Sequence, residues 1–377
     1  MARSPDKSRS SAGGKRASAA ESQPPLSSAE LAKLEVGLIR LAQEHAERVV
    51  SARADGLPSP AMGVPAASDD ESFAQLLAAA PGPLPERCVQ AVVRELASGY
   101  RSLVRQPRIA ILGPLYSYSH LAAIHRFGQS VELAPVGTIA AVFEEVERKQ
   151  SDLGIVPLEN STDGRVADTL DMFTRLRVRI CGEVQLRIHH ALLAKCPRAQ
   201  VQEVYSKPQA LSQCRNWLAR HLPSARTIEV TSTSTAAQLA AERPGAAAIA
   251  SLQAGVHHGL DVLAERVEDN PNNTTRFAVI GDHPTPRTGK DLTALLFQLE
   301  HRAGALADVL VIFKRNRVNM AWIDSFPIPG SSRAYLFFVE VEGHESEPRL
   351  RRALGAIEKK TLRLEVLGSF PATQPVE

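Results

Sequence analysis

The sequence predicts a multidomain α/β protein with three folded parts: a helical bundle, a two-lobed α/β region and a ferredoxin-like module. Three observations carry this. Apolar residues recur at helical spacing on either side of a Pro/Gly/Ala stretch from Pro58 to Ala67. Apolar strands alternate with helices over about residues 107–283. Residues 290–371 run strand, helix, strand, strand, helix, strand.

Composition narrows the function classes. The chain is 44% hydrophobic and 23% charged, as a soluble globular protein is. Its net charge of +3 originates in residues 1–27, where Arg3, Lys7, Arg9, Lys15 and Arg16 outnumber Asp6 and Glu21. The body is then near neutral, which argues against a nucleic-acid partner. The tail is rich in Ser, Ala and Gly without an apolar run, so it is expected to be disordered rather than a signal peptide. No stretch approaches the roughly 18 apolar residues of a membrane span. Cys88, Cys181, Cys196 and Cys214 are widely spaced with no CxxC pair, so a reduced, cytoplasmic protein without a zinc site is expected.

Residues 28–104 read as helices. Ser27 and Glu30 fit a capping box ahead of Leu31, Leu34, Leu38, Leu41 and Val49 on one face. Gly56-Leu57-Pro58 ends that helix. A short one is predicted over Asp70–Ala80, and a third from Pro85 with Val89, Val92, Val93, Leu96, Tyr100 and Leu103 on one side. Their apolar stripes ask for cover from a second chain, so a homodimer or higher homo-oligomer is expected.

In the central region, strands are predicted at Arg108–Leu112, Leu153–Leu158, Val201–Tyr205, Ile228–Val230, Ala246–Ala250 and Thr275–Ile280, with two more between Arg177 and Ala194. Helices fall at Ser119–Phe127, Ile139–Lys149, Gly164–Leu176 and Pro208–His221, and from Thr235. Two such lobes with a crossover suggest a hinged pair around a cleft, with ligands at the carboxyl ends of strands. Hydroxyls and amides gather at those ends: Ser117-Tyr118-Ser119, Asn160-Ser161-Thr162, Ser206-Lys207-Pro208-Gln209, Thr231 to Thr235, and Asn273-Thr274-Thr275-Arg276. One such cluster is ordinary helix capping. Their recurrence at matching positions points to a small anionic ligand. Arg276 is suited either to hold its carboxylate or to lock the loop through an internal ion pair. No phosphate loop, metal-ligand spacing or nucleophile elbow appears, so neither metal nor organic cofactor is expected. His189 and His190 are adjacent in a strand and point to opposite faces.

The run Gly113-Pro114-x-x-Ser117-Tyr118-Ser119, then Pro157-Leu158-Glu159-Asn160-Ser161-x-x-Gly164, Ser206-x-Pro208-Gln209 with Gln213-Cys214, and Asn273-x-Thr275-Arg276-Phe277 resembles the prephenate dehydratases across residues 107–283. The resemblance implies two lobes like a solute-binding protein. It also implies conversion of prephenate to phenylpyruvate, water and carbon dioxide in phenylalanine biosynthesis. Thr275 would be the catalytic group, and Ser117, Ser119, Asn160, Ser161, Gln209, Thr233 and Arg276 would bind substrate. Two positions depart from the family: Tyr116 replaces a glycine and Lys207 a histidine.

Residues 290–371 resemble the ACT domain that regulates these enzymes. This implies an L-phenylalanine effector site at a domain interface, with Gly304, Ala305, Leu306, Asp324 and Ser325. Asp324-Ser325-Phe326-Pro327 lacks the arginine of the usual Glu-Ser-Arg-Pro. Gly82-Pro83-Leu84 and Val93-Arg94-Glu95-Leu96 resemble the all-helical chorismate mutases. Glu35, Tyr100 and Val104 nevertheless stand where that family places an arginine, a serine and a glutamine, and Arg48 and Arg53, the remaining candidates for inward cations, are on such helices more often solvated. A structural bundle without mutase activity is the expectation. The alternatives are a bifunctional mutase–dehydratase and a catalytically silent sensor of an aromatic metabolite.

Overall fold

The computed structural model describes residues 27–54, 81–327 and 335–376. The chain divides after Arg48 into two compact units. The first contains most of α1 (Ser28–Ala54). This helix starts on the predicted capping box: Ser27 Oγ accepts from the Glu30 N–H at 3.3 Å, and Glu30 accepts from the Ser27 N–H at 2.9 Å. Leu31, Leu34, Leu38 and Leu41 are exposed along it. The helix predicted over Asp70–Ala80 lies outside the described residues, as does the side chain of Arg53.

The second unit begins with α2 (Glu86–Val104), which docks on the α/β region. Ser98, 1% exposed, accepts from the Ser130 N–H at 3.0 Å, and Arg101 donates to the Phe127 carbonyl at 3.1 Å. Gly128 faces it at φ 77°, and a Cβ there would lie 2.5 Å from Ser98 Cβ. By its contacts α2 thus belongs to the α/β region.

Lobe 1 comprises β1 (Arg108–Leu112), α3 (Tyr118–Phe127), β2 (Glu132–Val136), α4 (Ile139–Glu147), β3 (Leu153–Asn160), β4 (Gly164–Arg165), α5 (Ala167–Arg175) and β5 (Arg179–Arg187). Lobe 2 consists of β6 (Ala191–Ala194), β7 (Glu203–Ser206), α6 (Pro208–Gln213), α7 (Arg215–His221), β8 (Arg226–Glu229), α8 (Thr233–Glu242), β9 (Ala246–Ala250), α9 (Leu252–His258) and β10 (Asp261–Ala264). Then β11 (Thr274–Gly281) returns to lobe 1, giving sheets ordered β2-β1-β3-β11-β5, with β4 on β3, and β10-β6-β9-β7-β8. The predicted helix Pro208–His221 breaks at Cys214, which leaves helical geometry at φ −113°, ψ 12°. The predicted helix from Gly164 starts later, because Gly164 and Arg165 pair with β3. Strands β2 and β10 and helix α9 were not expected: β2 carries Pro135 and is half exposed, so its alternation is weak.

The last part is β12 (Asp291–Gln298), α10 (Ala305–Arg315), β13 (Met320–Pro327), β14 (Tyr335–Glu342), α11 (Pro348–Glu358) and β15 (Arg363–Pro371), the predicted βαββαβ order. Its antiparallel sheet runs β13-β14-β12-β15. Alternation along β12 sends Leu295 and Phe297 toward α10 and α11, and Ala294 and Leu296 to the other face. That second face shares one core with Phe143 and Phe173 of lobe 1. Where β15 meets β5 a side chain has no room: a Cβ on Gly368 would lie 2.2 Å from the Ile180 carbonyl oxygen.

Candidate active site

Strand β11 carries Thr275 to the mouth of the lobe 1 sheet, opposite Asn160 on β3 and Leu186 on β5. A register shift lies between Arg276 and Phe277, a bulge of the kind that re-aims side chains. The Asn160 amide nitrogen lies 2.8 Å from Thr275 Oγ1 and 2.9 Å from Asn273 Oδ1. Its oxygen accepts from the backbone N–H groups of Thr162 and Asp163 at 2.9 and 3.0 Å. Those two donors fix which end of the amide is oxygen, so Asn160 donates to Thr275. Thr275 therefore keeps its own proton for a group in the cleft. Asn160, expected to bind substrate, instead spends its amide on orienting that hydroxyl.

Lobe 2 reaches the same cluster through Gln213, at the end of α6. Gln213 Oε1 accepts from Asn273 Nδ2 at 3.0 Å and lies 3.1 Å from His190 Nε2. Its Nε2 donates to Asp163 Oδ2 at 2.9 Å. His190 sits at the crossover between the lobes, with Nδ1 2.8 Å from the Tyr118 hydroxyl. Burial lowers its pKa, which favours the neutral ring. Glu268, on the return crossover, accepts from the His190 N–H at 2.9 Å and pairs with His189 Nδ1 at 2.7 Å. Asn273 stood in a strand-end cluster and Gln213 in a recognisable motif, yet the sequence singled out neither as a site residue, nor Asp163 or His190.

The remaining expected contacts divide. Ser117 caps α3: it accepts from the His120 N–H at 3.4 Å and donates to the Leu112 carbonyl at 3.0 Å. Ser161 accepts from the Thr274 N–H at 2.9 Å and ties the β3 loop to β11. Ser119 and Thr233 are buried in the first turns of α3 and α8, and Gln209 is exposed in the first turn of α6. Ser232 caps α8 by accepting from the Thr235 N–H at 2.9 Å. Several strand-end hydroxyls are thus helix caps, and the first-turn N–H groups of α3 and α8 are what suits an anion.

Tyr116 adopts φ 64°, the left-handed region that suits glycine. Its N–H donates to His120 Nδ1 at 2.8 Å, and its carbonyl accepts from Ser251, the N-cap of α9, at 3.4 Å. Its ring stacks on His257 near the other end of α9, 4.0 Å between centroids. The side chain therefore runs along α9, away from the start of that helix.

Arg276 lies on the opposite face of β11 from Thr275, as strand alternation requires. Its guanidinium is 2.8 Å from Glu183, 2.9 Å from Glu340 and 3.2 Å from Glu159, and it sits over the Trp322 ring at 5.5 Å. Of the two roles open to it, this is the internal ion pair and not the substrate contact: Arg276 locks β11 to β3, β5 and β14. Burial works against its charge, but Glu340 and Glu183 together raise its pKa further. Burial also pushes the Glu340 carboxyl up to about 7, with Arg276 opposing. A carboxyl raised from 4.5 contributes stability that is present below that value and lost as pH climbs through about 7. Comparing melting temperatures of wild type and Glu340→Gln between acidic and weakly alkaline pH should show wild type losing ground as pH rises. Parallel curves would remove Glu340 as the titrating group.

On the third sheet, Leu299, His301, Arg302, Ala305, Leu306 and Phe337 line a groove beside the start of α10. Gly304 precedes that helix at φ 81°. Asp324 and Ser325 do not join this groove. Asp324 pairs with Arg165 of β4, which also donates to the Ser325 carbonyl at 2.8 Å. Phe326 packs against the core shared with lobe 1.

The family model for prephenate dehydratase matches residues 109–285. A bifunctional chorismate mutase/prephenate dehydratase of Aquifex aeolicus is 40% identical over 291 residues, covering 77% of this chain and 80% of that protein. The crystal structure of a prephenate dehydratase from Arthrobacter aurescens in complex with L-Phe is 30% identical with TM-score 0.66, covering 70% of this chain and 90% of that one. A protein described as a novel type of quorum quenching acylase is also 30% identical with TM-score 0.65, covering 71% of this chain and 98% of that one. With Thr275, Asn160 and Gln213 gathered at one strand mouth, the chain belongs to the prephenate dehydratase family.

Proposed function

We propose that this chain is a cytoplasmic prephenate dehydratase of phenylalanine biosynthesis. The observation that carries the reading is the Asn160–Thr275 hydrogen bond, in which Thr275 accepts and so keeps its own proton to donate. In prephenate the bond to the ring carboxylate breaks and releases carbon dioxide. Its electron pair enters the ring and expels the hydroxyl on the opposite carbon, which takes up a proton and leaves as water. Hydroxide is a poor leaving group, so a donor at that oxygen lowers the barrier. A threonine hydroxyl is a weak acid, and its contribution is a preorganised hydrogen bond that strengthens as charge develops. The helix starts of α3 and α8 supply N–H groups for the carboxylates. An acylase would need an activated nucleophile, and the thiol nearest the cluster, Cys214, is buried with its pKa pushed up by that burial. Incubating purified protein with prephenate, and with arogenate in parallel, should produce phenylpyruvate absorbance from prephenate. No product from either would favour the silent-sensor reading.

The third sheet is read as an ACT domain, and L-phenylalanine as its effector. The βαββαβ order, the groove at Ala305 and Leu306, and the L-Phe bound to the Arthrobacter relative support this. Phe326 and the Arg165-bound Asp324 leave this chain without the charged partners the family pattern supplies. Titrating the dehydratase rate with L-phenylalanine should accordingly show no inhibition at micromolar concentrations. Micromolar inhibition would show that other groups hold the ligand.

The amino-terminal helices are read as a dimerising bundle without mutase activity. The exposed leucines of α1 support dimerisation, and Glu35 would repel a dianionic substrate. Because α2 is docked on lobe 1, the informative truncation removes residues 1–80. It should alter oligomeric state while leaving prephenate turnover intact, and full-length protein should not consume chorismate. Chorismate consumption lost on truncation would establish the bifunctional reading that several relatives' names carry.

A further inference from the structure

We infer that Asp163 is a positioning residue for Thr275 and acts across the lobes through Gln213. The inference rests on the dehydratase reading and on hydrogen-bond polarity. The backbone N–H groups of Thr162 and Asp163 fix the Asn160 oxygen, so the Asn160 NH2 faces Asn273 and Thr275. Asn273 Oδ1 is then an acceptor, taking a second bond from Thr162 Oγ1 at 3.2 Å, and Asn273 Nδ2 must donate to Gln213 Oε1. His190 Nε2 faces the same oxygen, so the ring carries its proton there, with Nδ1 toward the Tyr118 hydroxyl. Only one role remains for the Gln213 NH2, that of donor, and the Asp163 carboxylate is the acceptor it meets at 2.9 Å.

Among the members of this hydrogen-bonded chain, Asp163 is the acidic side chain and Gln213 the one from lobe 2. When the lobes close, Gln213 meets an acceptor and a donor already fixed by lobe 1, and it fits in one orientation only. Asp163 rewards that orientation. An inverted Gln213 amide would set its NH2 against the Asn273 NH2, break the chain at its buried member, and loosen the support behind Asn160. Asn273 is 1% exposed, so a broken bond there has no water to replace it. Asp163 itself is exposed, and its substitution therefore leaves the core untouched.

The test is a charge-reversal cycle read by steady-state kinetics with prephenate. Asp163→Asn retains an acceptor and should keep kcat within about threefold of wild type. Asp163→Lys turns the acceptor into a donor and should lower kcat about tenfold or more, with KM no higher, since a cation near the cleft does not repel a dianion. Gln213→Glu alone sets two carboxylates against each other and should be impaired. The double variant Asp163→Lys/Gln213→Glu restores donor facing acceptor at every link, and should recover much of the kcat that Asp163→Lys loses. Undiminished kcat in Asp163→Lys, or no recovery in the double variant, overturns the inference. The same four proteins compared by melting temperature report the clasp without any substrate. Non-additive melting shifts in a wild-type protein that lacks turnover would overturn the dehydratase reading and the role in catalysis while leaving the clasp. Additive shifts in an active protein would overturn the clasp alone.

Discussion

Thr275→Ala should fold as wild type does, bind prephenate with little change in KM, and turn it over about 10²-fold more slowly, as for loss of one transition-state donor. The size reflects what the site lacks as well as what it holds. Among the described residues no group of acids, histidines or cysteines is placed to bind a metal ion, and the buried Asn273 and His190 are committed to Asn160, Gln213 and Tyr118. On the proposed reading, substrate is held by helix starts and backbone N–H groups that the substitution does not touch, so kcat should fall and KM should not. The variant also frees one hydrogen of the Asn160 amide, which water entering the shortened side chain can take up. Steady-state kinetics on the variant check this, and a selective rise in KM would reassign Thr275 from chemistry to binding.

Arg276→Met should be strongly destabilising. It leaves Glu183 and Glu340, 2% and 1% exposed, facing each other without the cation that pairs them. Breaking a buried pair by removing one partner costs about 3–5 kcal/mol. Part of that is relieved if Glu340 takes up a proton, which its raised pKa makes easy near neutrality. The variant should thus be most damaged at alkaline pH, where both carboxylates are ionised. Arg276→Lys should recover only part, because one ammonium cannot span three carboxylates that the planar guanidinium reaches with Nη2 on Glu183 and Glu340 and Nη1 on Glu159. Chemical denaturation at two pH values measures both effects. A loss that does not grow with pH would mean that removing Arg276 does not change the protonation of Glu340.

The parts of this architecture written in local pattern were legible in the sequence. The strand ending at Ile280, the βαββαβ order and the Ser27–Glu30 cap each depend on residues within a few positions of one another. In the candidate site, Thr275 and Asn160 could be named from the sequence, but the hydrogen bond that joins them could not. What sequence could not supply was partnership: Asn160 and Thr275 are 115 positions apart, and Gln213 and Asp163 are 50. Without those pairings, Ser117 read as a ligand contact when it caps its own helix. Arg276 read either as a second ligand group or as an internal ion pair, and alternation along a strand, which places adjacent residues on opposite faces, favours the second. Tyr116 could be read only as a departure from the family's glycine, and its positive φ and its stack on His257 show where the ring goes.

The central claim is that a hydroxyl proton on Thr275, held by Asn160, assists departure of the prephenate hydroxyl. Its most direct test is single-turnover formation of phenylpyruvate by wild type, Thr275→Ser and Thr275→Val at saturating substrate. Serine keeps the hydroxyl and valine keeps the shape without it, so packing and chemistry are separated. The account predicts that the serine variant stays within about tenfold of wild type, while the valine variant falls on the order of 10²-fold or more. Equal rates for the valine variant and wild type would contradict it.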